Sequence, residues 1–174
     1  MSQKTIIFTI GHSTRKLADF IDILQEFDIQ KVVDIRTIPK SRHNPQFNEE
    51  HLKTALHKHK IGYAHLKELG GLRHAHADSL NTGWHNSSFR GYADYMQTEE
   101  FEKGIEKLCK LAEKKRVVIM CAEAVPWRCH RSLVGDALLV RHYDVEDIYS
   151  KTSVKPHTLT PFAHVWRKKI TYSS

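Results

Sequence analysis

The chain has 174 residues, 40% of them hydrophobic and 27% charged, the balance of a soluble protein with one domain and a real core. No stretch is long and apolar enough to cross a bilayer, and three cysteines are too few and too odd a set for a disulfide-dense secreted scaffold. A formal charge of +7 favours anionic partners, a small anionic molecule or nucleic acid, although a basic solubilising surface gives the same sum.

The N-terminal MSQKTIIFTIGHSTRK holds a short apolar run that ends at Gly11-His12 without a small-residue cleavage site. It reads as a first strand, TIIFTI (5–10), and not as a secretory signal, which places the protein in the cytoplasm. Ser13 or Thr14 then caps a helix whose apolar stripe is Leu17, Phe20, Ile21 and Leu24. KVVDI (31–35) is a second strand. Asn48 followed by Glu49-Glu50 opens a second helix, with acids in the first turn where the helix dipole favours them and a stripe of Leu52, Ala55 and Leu56. IGYAHL (61–66) is a third strand.

Residues 68–92, ELGGLRHAHADSLNTGWHNSSFRGY, sustain no period. They read as a long ordered loop across the site, held by Trp84, Phe89 and Tyr92, aromatics that pack or stack a ligand base. Thr98 opens a helix with the stripe Phe101, Ile105, Leu108 and Ala112, and RVVIMC (116–121) is a fourth strand. A last helix begins near Cys129 and carries Leu133, Val134, Ala137 and Leu138, and VEDIYS (145–150) is a fifth strand. Residues 151–174, with Phe162 and Trp166, read as a C-terminal arm packing on the domain formed by 1–150.

The strands are continuous apolar runs, so both faces of their sheet are covered, and the helices between them imply parallel crossovers. The expected fold is a single three-layer α/β domain with a mainly parallel sheet flanked by helices. Strand order is not readable from the sequence.

In an open parallel sheet, ligands bind beyond the carboxyl ends of the strands. The first strand leads into Gly11-His12-Ser13-Thr14, and the second into Asp34, Arg36, Ser41 and Arg42. The third ends near Tyr63 and His65, and the fourth in Cys121, Glu123 and Cys129-His130-Arg131. Basic residues at the start of the last helix oppose its dipole, so Glu123 or an anionic ligand should compensate them. Arg36, Arg42 and Arg131 are expected to anchor the anion, with Ser13, Tyr92, Cys129 and His130 beside it. Glu123 and Asp34 form a carboxylate pair for acid–base work, or else two loop-holding ion pairs. Cys121 is either a nucleophilic thiolate or a small core residue, and His12 either a general base or a loop cap.

Three familiar chemistries fit poorly. Thiol phosphatases use Cys-x5-Arg, whereas Arg128 follows Cys121 after six residues and Glu123 inside the loop would repel a phosphate. A Cys121–Cys129 redox pair lacks the tight Cys-x-x-Cys spacing. A zinc site of Cys121, Cys129, His130 and His12 or His65 would need consecutive helical side chains to converge, so no metal ligands are assigned. Neither Gly-x-G-x-x-Gly nor Gly-x-x-x-x-Gly-Lys-Ser occurs, and no cofactor is assigned.

The blocks TIGHST, DIRTIPKSR, LGGLR, FRGYADYM and MCAEAVPWRCHRS, in that order over about residues 5–150, resemble the signature blocks of domain-of-unknown-function family 488 in bacteria and archaea. The resemblance implies an α/β fold and a site drawn from Gly11, His12, Ser13, Asp34, Arg36, Arg42, Cys121, Glu123, Cys129, His130 and Arg131. It implies no activity. The residues themselves point to a hydrolase- or transferase-type enzyme acting on a nucleotide or nucleic-acid-derived anion. A non-catalytic nucleotide- or nucleic-acid-binding module and a thiol or redox protein using Cys121 and Cys129 stay open beside it.

Overall fold

Short β-branched runs alternate with amphipathic stretches, and the backbone follows that alternation. The computed structural model describes residues 5–174; residues 1–4, the start of the N-terminal stretch read above as leading into a strand, lie outside them. In chain order the elements are β1 (Ile6–Gly11), α1 (Leu17–Glu26), β2 (Lys31–Asp34), α2 (Glu49–Lys58) and β3 (Gly62–His65). Then come α3 (Ser87–Tyr95), α4 (Glu99–Lys114), β4 (Val117–Cys121), α5 (Arg131–Leu139) and β5 (Asp144–Ser150). The last elements are β6 (Ser153–Pro156), β7 (His164–Trp166) and β8 (Lys169–Thr171).

The main sheet has the order β3-β2-β4-β1-β5-β6. The first five strands are parallel, and β6 turns back antiparallel on β5. Side chains alternate across it and build two cores. Phe8, Ile10, Val32, Val118 and Met120 pack under Phe20 and Leu24 of α1 and Leu52 and Leu56 of α2. Ile7, Val33, Ile35, Val117 and Ile119 face the other way, onto Tyr92, Phe101, Ile105 and Leu108 of α3 and α4 and Leu133 and Val134 of α5. This is the expected three-layer α/β domain.

The neighbours β1 and β4 therefore feed helices on opposite faces, α1 on one and α5 on the other. Chains leaving adjacent strands in opposite directions open a crevice at their carboxyl ends, the topological switch point of such sheets. Gly11 pairs with Cys121 at that point.

Several local expectations change. Neither Ser13 nor Thr14 caps α1, which starts after Lys16 without a side-chain cap. Ser13 instead adopts a left-handed φ of 52°, and its N–H donates to the Ala122 carbonyl at 3.0 Å. Asn48 accepts from the Ser41 N–H at 2.7 Å rather than capping α2. The stretch 68–92 is not wholly a loop, because α3 begins inside it. Asn86 caps α3 by accepting from the N–H groups of Ser88 and Phe89, and packing of Tyr92, Ala93 and Tyr95 on the core holds so short a helix. The chain after Ser150 forms β6 and the separate β7–β8 hairpin, with Ile170 and Tyr172 buried. No helix among the described residues is long and apolar enough to cross a membrane.

Candidate functional site

At the switch point lies an open hollow of about 470 Å³, lined by Arg36, Thr37, Ile38, Lys40, Gly71, Leu72, Ser88, Phe89, Cys121, Glu123, Arg128, Cys129 and His130, among others. It draws on the ends of β2 and β4, the Gly70-Gly71 turn and the start of α3. Its floor is sulfur, its rim basic. Lys40 and Arg128 are exposed cations there, Glu123 an exposed carboxylate, and Ile38 and Leu72 stand 61% and 73% exposed beside them.

The loop after β4 is shaped by the block after β1. The N–H of His12 donates to the Cys121 carbonyl at 2.9 Å, one link before the Ser13–Ala122 bond. A Cβ on Gly11 would lie 1.6 Å from the Glu123 carbonyl oxygen and 2.7 Å from Arg131 Nη1, so only glycine lets that loop fold down. Gly71 plays a similar part, since its Cβ would meet His130 Nδ1 at 2.5 Å.

Beneath the floor sits Arg131, with no exposed surface. Its Nη1 donates to Cys121 Sγ at 3.2 Å and to the Glu123 carbonyl at 2.8 Å, and Nη2 to the Ala124 carbonyl at 3.3 Å. Its Nε has no partner, and no carboxylate bonds to it. A buried guanidinium without a counter-charge is expensive. The nearest group able to supply one is Cys121. Burial alone would raise that thiol, but a hydrogen bond from Cys129, the charge of Arg131 and a backbone bond at Glu123 together bring it below the ordinary thiol range. The proton stays on Cys129, which burial and the Cys121 charge hold well above that range.

His130 is neutral, because burial lowers it to about 4. Its Nε2 lies 2.9 Å from the Ile35 carbonyl and must carry the hydrogen, which leaves Nδ1 a bare acceptor 3.5 Å from Cys129 Sγ. Tyr92 packs on the imidazole, ring centroids 4.9 Å apart.

Arg36 is held from below. Asp34, fully buried, accepts from its Nε and, at 2.7 Å, from its Nη2, and accepts the Tyr63 hydroxyl at 2.6 Å. His12 is likewise buried and neutral, lowered chiefly by desolvation. Its Nδ1 donates to the Ser13 carbonyl at 2.8 Å, its Nε2 faces Arg36 Nη1 at 3.5 Å, and its ring stacks on Phe47. Of the five N–H donors of a guanidinium, these contacts leave two on Arg36 for the hollow.

Several sequence assignments shift accordingly. Arg36, Cys121, Glu123, Cys129 and His130 do line the hollow. Asp34 does not: it is saturated by Arg36 and Tyr63 and forms no pair with Glu123. His12 and Ser13 support the loop and lie outside the lining. Arg131 faces the protein, not a ligand, and what Glu123 offers it is a backbone carbonyl rather than a carboxylate. Tyr92 is a core residue, its hydroxyl donated to the Leu69 carbonyl. Arg42 is exposed away from the lining. Missed were Lys40, Thr37 and Ser88, ordinary polar residues without a motif; the rule that selected Arg36 and Arg42 after the second strand could have reached the first two. Cys129 and His130 converge because they precede α5 instead of lying on it. Among the described residues, no three His, Cys, Asp or Glu side chains gather closely enough to hold a metal ion.

No match to the chain was found among curated proteins or solved structures. A family match covers residues 16–138, from the start of α1 through most of α5, and includes the loop that carries both thiols. The chain thus belongs to the family described as domain of unknown function DUF488.

Proposed function

We propose that the hollow binds a small anionic substrate and that Cys121 attacks it as a thiolate, in a transfer or hydrolysis reaction. The observation that carries this reading is a wholly buried guanidinium with no carboxylate partner, donating to Cys121 Sγ at 3.2 Å. An arrangement of that kind favours the ionised sulfur, and the thiolate is the reactive form. Lys40, Arg128 and the two free donors of Arg36 would receive the substrate's negative charge. Glu123, exposed at the rim, is placed to exchange a proton with a leaving group.

Phosphate-ester chemistry of the thiol phosphatase kind is disfavoured, because Arg131 is turned into the protein by the Glu123 and Ala124 carbonyls and could not reach a phosphate. Alkylation tests the proposal. Cys121 should react with iodoacetate well below the pH at which an ordinary thiol does, and faster than with neutral iodoacetamide. Lys40→Ala with Arg128→Ala, or high salt, should erase the charge preference. A Cys121 that reacts only above the ordinary thiol pKa would overturn the reading.

A second reading, nucleic-acid binding, rests on the β7–β8 hairpin. Trp166 stands 65% exposed there, with the Arg167 guanidinium 4.6 Å from its ring and Lys168 and Lys169 exposed alongside. Aromatic and cationic groups together suit single-stranded nucleic acid. Binding that quenches Trp166 fluorescence and weakens steeply with salt would support it, and a Trp166→Ala protein that binds single strands as well as the parent would dismiss it.

A further inference from the structure

We infer that Cys121 and Cys129 work as one dithiol that exchanges with small disulfides, Cys121 attacking and Cys129 resolving. This deepens the reading of Cys121 as a nucleophile and rests on it. Both cysteines line the same hollow, both are free thiols, and they lie on either side of the short turn that Pro126–Arg128 makes. One arginine gathers them. Arg131 reaches Cys121 Sγ with its Nη1 at 3.2 Å and Cys129 Sγ with its backbone N–H at 3.4 Å. The pair is unequal by construction. The guanidinium serves Cys121, while Cys129 keeps its proton and faces the bare Nδ1 of His130 at 3.5 Å.

The exchange balances on these groups. The Cys121 thiolate attacks one sulfur of a disulfide R–S–S–R, a Cys121–S–R bond forms, and the first RS⁻ departs. With its charge gone, Cys121 no longer holds the Cys129 proton, which the first RS⁻ takes as it departs as RSH. The Cys129 thiolate then attacks the Cys121 sulfur of the mixed disulfide, the protein disulfide closes, and the second RS⁻ leaves. The dithiol loses two electrons and the disulfide becomes two thiols; an external thiol in excess runs the sequence backwards. Oxidation also strips Arg131 of its counter-charge in a site that cannot hydrate it. The reduced form is thereby favoured, so the protein disulfide should be a ready oxidant. The basic rim of Lys40 and Arg128 selects an anionic disulfide over a neutral one.

The probe is dithiobis(nitrobenzoate), an anionic disulfide whose coloured thiol reports each step, used on full-length protein carrying Cys109→Ala. The expected result is two coloured thiols released per chain, the protein lighter by two hydrogens, and a tryptic cross-link joining the Val117–Arg128 and Cys129–Arg131 peptides. Cys129→Ser should release one and retain the adduct on Cys121. If the Cys109→Ala protein itself keeps that adduct, the resolving role of Cys129 is overturned and the nucleophile survives. If Cys121 in folded protein does not react at all, both the dithiol and the proposed nucleophile fall. The stoichiometry and mass of the Cys109→Ala protein decide between these outcomes even if Cys129→Ser does not fold.

Discussion

Arg131 is a side chain of the largest fully buried class in this molecule, and its surroundings explain most of what its neighbours do. Among the described residues its side-chain partners are carbonyls and one sulfur, and Cys121 is the one of them that can ionise to balance its charge. Cys121→Ser, nearly the same size, removes that balance and should destabilise the fold by on the order of 3 kcal/mol, measured by denaturant unfolding. Because the Cys121 pKa is depressed on folding, its contribution is present above the ordinary thiol pKa and is lost as pH falls through the folded value; Cys121→Ser should remove that slope. Gly11→Ala should likewise be costly, by roughly 1–3 kcal/mol, since its methyl would collide with backbone at Glu123. Crystallography of that variant should show the 122–124 turn displaced and the Arg131–Cys121 bond lengthened. At this scale the sequence showed which side chains carry chemistry but not which way they face. Cys121 and Arg131 stand ten positions apart, and whether one meets the ligand or the core depends on a loop that another strand holds down.

Elements were legible where their pattern was long or strongly apolar. The five parallel strands and four of the helices follow from runs and stripes alone, because a buried strand or amphipathic helix writes its burial into its own sequence. Helix α3 escaped because it is short, carries Gly91 in its middle, and follows residues with no period. Its start depends on Asn86, whose side chain accepts from two N–H groups at 2.8 and 3.2 Å. Asn86→Ala should lower stability by about 1 kcal/mol. Because Asn86, Ser88 and Phe89 all line the hollow, the same variant should also weaken binding of the proposed anionic substrate, whereas Thr98→Ala, which removes the α4 cap, should cost similar stability and leave that binding alone. Calorimetry alongside a binding assay separates the two.

Over the whole molecule, the last twenty residues are tied to the body by a buried cluster that no motif announced. His157 lies between Asp136 of α5 and Asp147 of β5, 3.0 Å from each. Asp136 also accepts the hydroxyls of Thr160 and Tyr172, and Asp147 that of Thr9. Desolvation opposes the charge on His157, but the two carboxylates overcome it and raise the imidazole to about 9. A raised histidine stabilises the fold fully below its ordinary value near 6.5, and that contribution, on the order of 3 kcal/mol, is lost as pH rises through about 9. His130 acts in the opposite sense. Held neutral with its value near 4, it makes the folded state less stable as pH falls below 6.5. Stability should therefore fall on the acid side of neutrality, while on the alkaline side the loss at His157 opposes the gain at Cys121, so that His157→Leu should let unfolding stability rise with pH between about 6.5 and 9.

The sequence by itself determined the class of the fold, the places where strands end, and the loop after the fourth of them in which the thiols and basic residues gather. Those are local properties, set by the repeat of apolar side chains along one stretch of chain. Tertiary structure alone decided that β4 inserts between β1 and β2, that Asp34 and His12 brace Arg36 beneath the site, and that Arg131 turns inward to the sulfur. Each of those depends on which distant segments become neighbours. That choice is made by the packing of both sheet faces at once, and no single stretch of sequence carries it.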